Sequence, residues 1–195
     1  MRSLIKRLLF LAVSLALVAP LAFAQTSTWI PDKAHSEVAF SVLHMSLAMV
    51  RGRFGNIGGS VVLDEADITK STVNIMIDVS SVDTGVAPRD ADLKSDHFFD
   101  VAKYPTAIFT TTSVAKAGAG LIVAGKLTLH GVTKPVVLNV DSPRGPLTSM
   151  DKKPHYGFTA TTTLKRSDFG IGTKYPDAMI GDDIKLTIDL DVAKQ

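Results

Sequence analysis

Residues 182–193, DDIKLTIDLDVA, decide the fold. Ile184, Leu186, Ile188, Leu190 and Val192 fall on every second position, with Lys185, Thr187, Asp189 and Asp191 between them. Successive side chains of a strand point to opposite faces, so one face of this segment is hydrocarbon and the other polar. A helix would space its apolar residues by three and four. The same alternation runs through TVNIMIDVS at 72–80, where Val73, Ile75, Ile77 and Val79 oppose Asn74 and Asp78. It recurs in GLIVAGKLTLH at 120–130, with Leu121, Val123, Leu127 and Leu129 on the apolar side. Half-buried antiparallel strands satisfy this pattern.

Turn chemistry separates the strands: FGNIGG at 54–59, AKAGAG at 115–120, HGVTKP at 130–135 and DSPRGP at 141–146. Strands are expected near 28–31, 35–45, 50–63, 72–80, 105–114, 120–130, 135–141, 156–168 and 182–192, eight or nine in all. Several reach ten residues or more, longer than the usual five or six. Long meandering antiparallel strands favour an extended eight-stranded up-and-down barrel over a sandwich of short ones. Such a barrel has room inside for side chains or for one ligand. The apolar faces carry small residues, among them Ala107, Ala124, Gly125 and Ala160, and there are only one Trp and three Tyr in the chain. That composition is compatible with an apolar tunnel. Two segments break the β rhythm. DEADITKS at 64–71 is either a turn of helix or a loop. The second, from Pro88 to Phe99, suits a short helical insert, with Pro88 at the first helical position and Asp96 capping a further turn.

The first 24 residues, MRSLIKRLLFLAVSLALVAPLAFA, have a basic start, an apolar run from Leu8 to Val18 and an Ala22-Phe23-Ala24 exit. They read as a cleaved signal peptide, so the expectation is an exported, periplasmic protein of one domain, residues 25–195, without a stable membrane anchor. Removing them takes away three of the 21 basic residues and none of the 19 acids, which turns a formal charge of +2 into −1. Nucleic-acid binding through net positive charge thereby loses its support. The absence of cysteine excludes thiol nucleophiles, thiolate metal sites and disulfides.

Further motifs extend along the whole chain: HSEVAFSVLHM at 35–45, VRGRFG at 50–55, SSVDTG at 80–85, RDADLKSDHFFDVAKYPTAIF at 89–109, GKLTLHGVTKPV at 125–136 and RSDFGI at 166–171. Together, and in this order, they resemble the YceI-like family of lipocalin-like, polyisoprenoid-binding exported proteins. The resemblance implies an extended barrel around a long apolar tunnel that holds one amphiphile, such as a polyisoprenoid, a quinone or a fatty-acid-like molecule. It implies no cofactor and allows a homodimer. It also places the 88–99 insert at the barrel mouth, its phenylalanines closing apolar contacts and its charges meeting a polar head group. The family pattern around the insert is Arg-Asp-x-His-Leu-basic-Ser-x-Asp-Phe-Phe. Here Asp92 stands where His is expected and His97 where Asp is expected; the exchange either preserves a contact between them or, if the family's histidine meets an anionic head, sets Asp92 against that anion and favours a neutral head such as a quinone or amide.

The resulting expectations are a tunnel lined by Phe40, Val73, Ile75, Ile77, Phe98, Phe99, Phe109, Leu127, Leu129, Phe158, Leu186 and Ile188, and a head-group end formed by Arg89, Asp90 and Lys94 with His35, His44 and Arg166. Asp90 can alternatively pair with Lys94 at i+4, and Arg89 with Asp92 at i+3. The five histidines are scattered without metal-ligand spacing, and His35 and His44, nine residues apart on one expected strand, point to opposite faces. No nucleophile elbow or phosphate loop is present. The reading is therefore a binding or carrier protein rather than an enzyme. An enzyme acting on the same lipid, or an interaction module with a filled barrel, are the alternatives.

Overall fold

The computed structural model describes residues 25–195; the segment 1–24 lies outside the described residues. Twelve strands form a single sheet: β1 Thr26–Pro31, β2 Glu37–His44, β3 Ala48–Phe54, β4 Ile57–Asp64, β5 Thr72–Asp78, β6 Val82–Asp83, β7 Thr106–Ala117, β8 Gly120–Leu129, β9 Val132–Val140, β10 Arg144–Thr148, β11 Pro154–Lys165 and β12 Asp183–Lys194. Eight of the staves expected from the alternation are there, because several short strands are collinear halves of one. β12 pairs with β1 through Trp29↔Lys194 and with β2 through Val38↔Ile188, so β1 and β2 are one bent stave. By the same logic β3 continues into β4, β5 into β6, and β9 into β10. The β11–β12 ladder, running from His155↔Ala193 to Lys165↔Asp183, closes the ring. The result is a closed eight-stranded antiparallel barrel with one short helix, α1, at Ala87–Lys94.

The sequence reads 50–63 as one unbroken strand, which the structure splits at Gly55-Asn56; the strand expected at 35–45 is unbroken but starts only at Glu37. Three neighbouring staves kink at one level, after Pro31, at Gly55-Asn56 and at Val79–Ser81. Polar side chains supply the hydrogen bonds that the ladder loses there. Ser36 Oγ both donates to Asp191 O and accepts from Asp191 N, each at 3.1 Å. Asn56 Nδ2 donates to Asp78 Oδ2 at 3.0 Å, and Asp78 N donates to Asn56 O at 3.0 Å. Buried backbone groups left without partners would be costly, so these side chains fix where the bend falls.

Alternation sets the interior as expected. Leu121, Val123 and Leu127 of β8 are buried, as are Ile75 of β5 and Val192 of β12. Ala124 is a correction: Val123 and Gly125 take the inward positions, so Ala124 faces out. Gly125 is required by close approach, since a Cβ there would lie 2.4 Å from the Phe109 ring. The 64–71 segment contains one 3-10 turn, Ile68–Lys70, capped by Asp67. In the insert, Ser95 rather than Asp96 organises the turn after α1: its Oγ donates to Asp92 O and accepts from His97 N.

β9 and β11 pair only at Val140↔Ala160 and Asn139↔Thr161. Below that point the staves diverge, and the 3-10 turn Arg166–Phe169 wedges between them with Phe169 fully buried. His130 Nδ1 lies 2.9 Å from Phe169 O and anchors the wedge to the end of β8.

Candidate ligand-binding site

Leu186, Ile188 and Leu190 face inward, yet they are only half-buried. The reason is an internal space that side chains do not fill. An upper cavity of about 130 Å³ and a lower one of about 140 Å³ lie along the barrel axis; Ser71 and Thr162 border the upper one and Lys165 and Arg166 the lower, but the surface turned to both spaces is apolar. Val38, Ile77, Leu127, Leu164 and Leu186 line both cavities and form a waist between them, one residue from each of five staves. A dry cavity of about 150 Å³ lined by aliphatic and aromatic side chains accepts a small hydrocarbon, so each chamber is of a size to hold part of an apolar chain. A twelve-residue strand at about 3.3 Å per residue, inclined by about 40°, spans about 30 Å of axis.

All twelve residues expected to line a tunnel lie on these walls. Val73, Ile75, Phe109, Phe158 and Ile188 border the upper cavity, and Phe40, Phe98, Phe99 and Leu129 the lower; Ile77, Leu127 and Leu186 belong to the waist. An aromatic chain runs from Phe40 to Phe54 to Phe99, with centroids 5.6 Å apart at each step. The Phe98 ring stacks on Tyr175 at 5.2 Å. Sequence reasoning missed Val136 and Leu138 on β9, whose alternation is blurred by Pro135 and the outward Val137. It also missed Ile171 and Ile180, which lie in a loop where no period exists to read.

The six residues expected at a head-group end are not brought together, and five of them line neither cavity. Arg89 and Asp90 both grip Thr84. Arg89 donates to Thr84 Oγ1 at 2.8 Å and to Thr84 O at 3.0 Å, while Asp90 Oδ1 accepts from Thr84 N and Oγ1. Adjacent residues on a helix cannot face one another, but both can reach back to the chain that enters the helix. Neither the Asp90–Lys94 nor the Arg89–Asp92 pair is formed among the described residues. Arg89 and Asp90 therefore fasten α1 to the segment that leaves β6, and Phe98 and Phe99 supply cavity wall. His97 Nδ1 and Asp92 Oδ1 lie 2.8 Å apart, so the exchanged residues do meet.

Arg166 is at the wall of the lower cavity, but its guanidinium points away from it. Its N–H groups donate to the carbonyls of Gly172 and Tyr175, each at 2.7 Å, of Ile180 at 2.9 Å and of Ile171 at 3.2 Å. A buried fork of five donors organises the 171–181 loop and leaves no donor for a ligand.

His35 and His44 are not on one strand. His44 ends β2, bridged to Ile180, whereas His35 lies in the bend before β2. His35 Nδ1 is 2.9 Å from Asp32 Oδ2, and Asp32, His35 and Asp191 bring three potential metal-ligating atoms within 4.8 Å of one another. His155 joins them, bracketed by Asp191 at 2.5 Å and Asp151 at 3.2 Å. The histidines are thus less scattered than the sequence suggests. Asp32 pulls the His35 pKa up, and His35 holds the Asp32 carboxyl down. The Asp191 bond, aided by Asp151, raises His155 above its ordinary value of 6.5. Each imidazole already has a carboxylate partner, and the cluster clamps the β1–β2 bend to β11 and β12.

A model of the YceI-like domain matches residues 29–192. A UPF0312 protein of Vibrio parahaemolyticus is 36% identical over 173 residues, covering 85% of this chain and 88% of the relative. Burkholderia cenocepacia BcnA has the same architecture, with a TM-score of 0.75 at 25% identity over 83% of this chain and 98% of that one. A Saccharophagus degradans domain, described as polyisoprenoid binding and implicated in plant cell wall breakdown, shares the fold with a TM-score of 0.63 at 19% identity, over 87% and 99% of the two chains. None of these three relatives carries an enzymatic name.

Proposed function

The chain belongs to the YceI-like domain family, and from that premise we propose that it is an exported carrier that holds the hydrocarbon part of an isoprenoid-tailed lipid, a quinone or a similar amphiphile inside its barrel. The observation that carries this reading is the pair of wholly apolar cavities meeting at one waist. A solvent-filled channel or a catalytic pocket would present polar groups to its contents; these walls present none, so binding is by burial of hydrocarbon, at about 0.8 kcal/mol for each methylene. A polar head cannot be satisfied in either chamber and belongs outside them. The neighbour described as polyisoprenoid binding supports the tail class. Export follows from the reading of residues 1–24, and the periplasm is the compartment it assigns.

Native mass spectrometry of the protein recovered from that compartment, with organic extraction of what it holds, tests the proposal. A stoichiometric amphiphile with a long apolar tail is the expected result. A protein that is empty and also refuses added quinones, isoprenyl phosphates and fatty amides would overturn the carrier reading in favour of an interaction module.

A further inference from the structure

The hairpin joining β2 to β3 continues past the last β12 pairing, at Lys185↔Ser41, and past the β6 pairing at Arg53. Leu43, Met45, Leu47 and Met49 are exposed on it, and Met179 of the neighbouring loop stands beside them. Leu47 is 86% exposed. These five are a large share of the exposed bulky apolar residues of the described chain, gathered at one point rather than scattered. Part of the backbone beneath them is paired: Met45 N donates to Met179 O at 2.8 Å, Leu47 N to His44 O at 3.0 Å and Gly181 N to Leu43 O at 2.8 Å. Pairing of these three donors lowers the cost of taking the tip out of water.

Charge is arranged around the tip in a definite order. Leu43 pairs with Met49 across the hairpin; two residues back from the tip, Ser41 lies between Arg51 on one side and Lys185 on the other. Two cations thus share a row on the same face as the apolar pair. Neither forms an ion pair among the described residues. The acids of the adjoining loop and strand are engaged elsewhere, Asp182 and Asp183 with Lys165 and Asp177 with Arg166. From Leu47 back to Arg51 is four residues, about 13 Å along the strand and about 10 Å along the axis at barrel tilt. That is the layout of an interfacial anchor, with apolar groups about 5–10 Å deep and cations at the level of the phosphates.

We propose that this tip docks the protein on an anionic lipid surface. The inference rests on the carrier reading for its purpose, because a carrier must meet the bilayer that supplies or receives its cargo. The tip is continuous with the cavity wall: Val42 and Ile180, which line the lower cavity, are the chain neighbours of Leu43 and Met179. Docking here brings the lower chamber to the membrane.

The test is flotation of the purified protein with vesicles of phosphatidylethanolamine and phosphatidylglycerol, its N-terminus first read by mass spectrometry so that residues 1–24 are known to be absent. The wild type is expected to float. Met45→Asn with Leu47→Asp should reduce partition at least about tenfold, the worth of withdrawing one large aliphatic side chain. Met45 has φ of 52°, a conformation Asn tolerates, so the fold should survive. Arg51→Gln with Lys185→Gln should cost about thirtyfold on these vesicles at low salt and little on phosphatidylcholine alone, at about 1 kcal/mol for each cation. Leu147→Ser with Met150→Ser, on the exposed hairpin at the opposite end, should change nothing. Wild-type protein that stays with the unbound fraction overturns the proposal, as does a loss confined to the Leu147 and Met150 variant. A tip variant that changes the oligomeric state but not flotation also overturns it, and makes the tip a contact with a second copy. Bound lipid is measured in every variant: an empty barrel that still floats counts against the carrier reading alone, and a loaded barrel that does not float counts against docking alone.

Discussion

Ala160→Phe separates a ligand chamber from a packing defect, because the two readings predict different combinations of stability and binding. Ala160 lies on the inner face of β11, between Val140 and Ile188, and its methyl group borders the upper cavity. A benzyl side chain directed there fills space that is otherwise open. Cavity volume costs about 24 cal/mol per Å³, so complete filling of about 130 Å³ is worth at most about 3 kcal/mol. Imperfect fit against Val140 and Ile188 returns about 1–3 kcal/mol of that. The lipid-stripped variant should therefore range from unchanged to about 2 kcal/mol more stable, a rise in Tm of up to about 8 °C for a chain of this size. Binding should move the other way, since the ring occupies the volume a hydrocarbon would take. Scanning calorimetry on stripped protein, together with a titration of the fluorescent fatty acid cis-parinaric acid, reads both. Thr161→Phe, on the exposed face of the same strand, is the control and should leave both unchanged. A Tm several degrees lower would show that the interior is already filled, and a higher Tm with undiminished uptake would show that the upper cavity does not seat the chain. Either result refutes the argument.

Two further perturbations address the scaffold. Arg166→Lys keeps the charge but loses the fork that serves the carbonyls of 171–181; leaving several of them unpaired should cost about 3 kcal/mol, a fall of about 6–12 °C in Tm, and a change under about 1 kcal/mol in chemical denaturation would refute that role. His155 is held above its ordinary pKa by Asp191 and Asp151, so its contribution is full below about pH 6.5 and is lost as pH rises through the raised folded value. Wild type should lose stability from pH 6 towards pH 9 relative to His155→Gln, with a slope of at most one proton, about 1.4 kcal/mol per pH unit; parallel curves for the two proteins would remove the clamp from the account.

The barrel was legible because its main forces are local. The period of two in 182–193 names the inward residues of β12 without knowledge of any partner, and the same logic put Ile75, Leu127 and Ile188 on a cavity wall. What the period cannot carry is the path of the chain where polar side chains replace the ladder. Nothing in 35–45 announces that Ser36 will stand in for a backbone group opposite Asp191, and so the period starts the strand at His35, two residues before β2 begins. Loops were the other blind spot, since Ile171 and Ile180 reach the lower cavity through a turn held by one buried arginine.

The insert shows why residue type alone misleads about a site. Arg89, Asp90 and Lys94 have the chemistry of a head-group cradle, but chemistry acts only where a side chain is free to use it. Thr84 takes both Arg89 and Asp90, directly after β6 has ended and three residues before α1 begins, and their opposite charges serve one anchoring point. That anchor holds the helix where Leu93, Phe98 and Phe99 can complete the wall beside the two-residue β6, whose only strand partner is β3. A charged exterior and an aromatic foot are thus two halves of one device: the charges fix the position, and the rings close the hydrocarbon chamber that such a position leaves open.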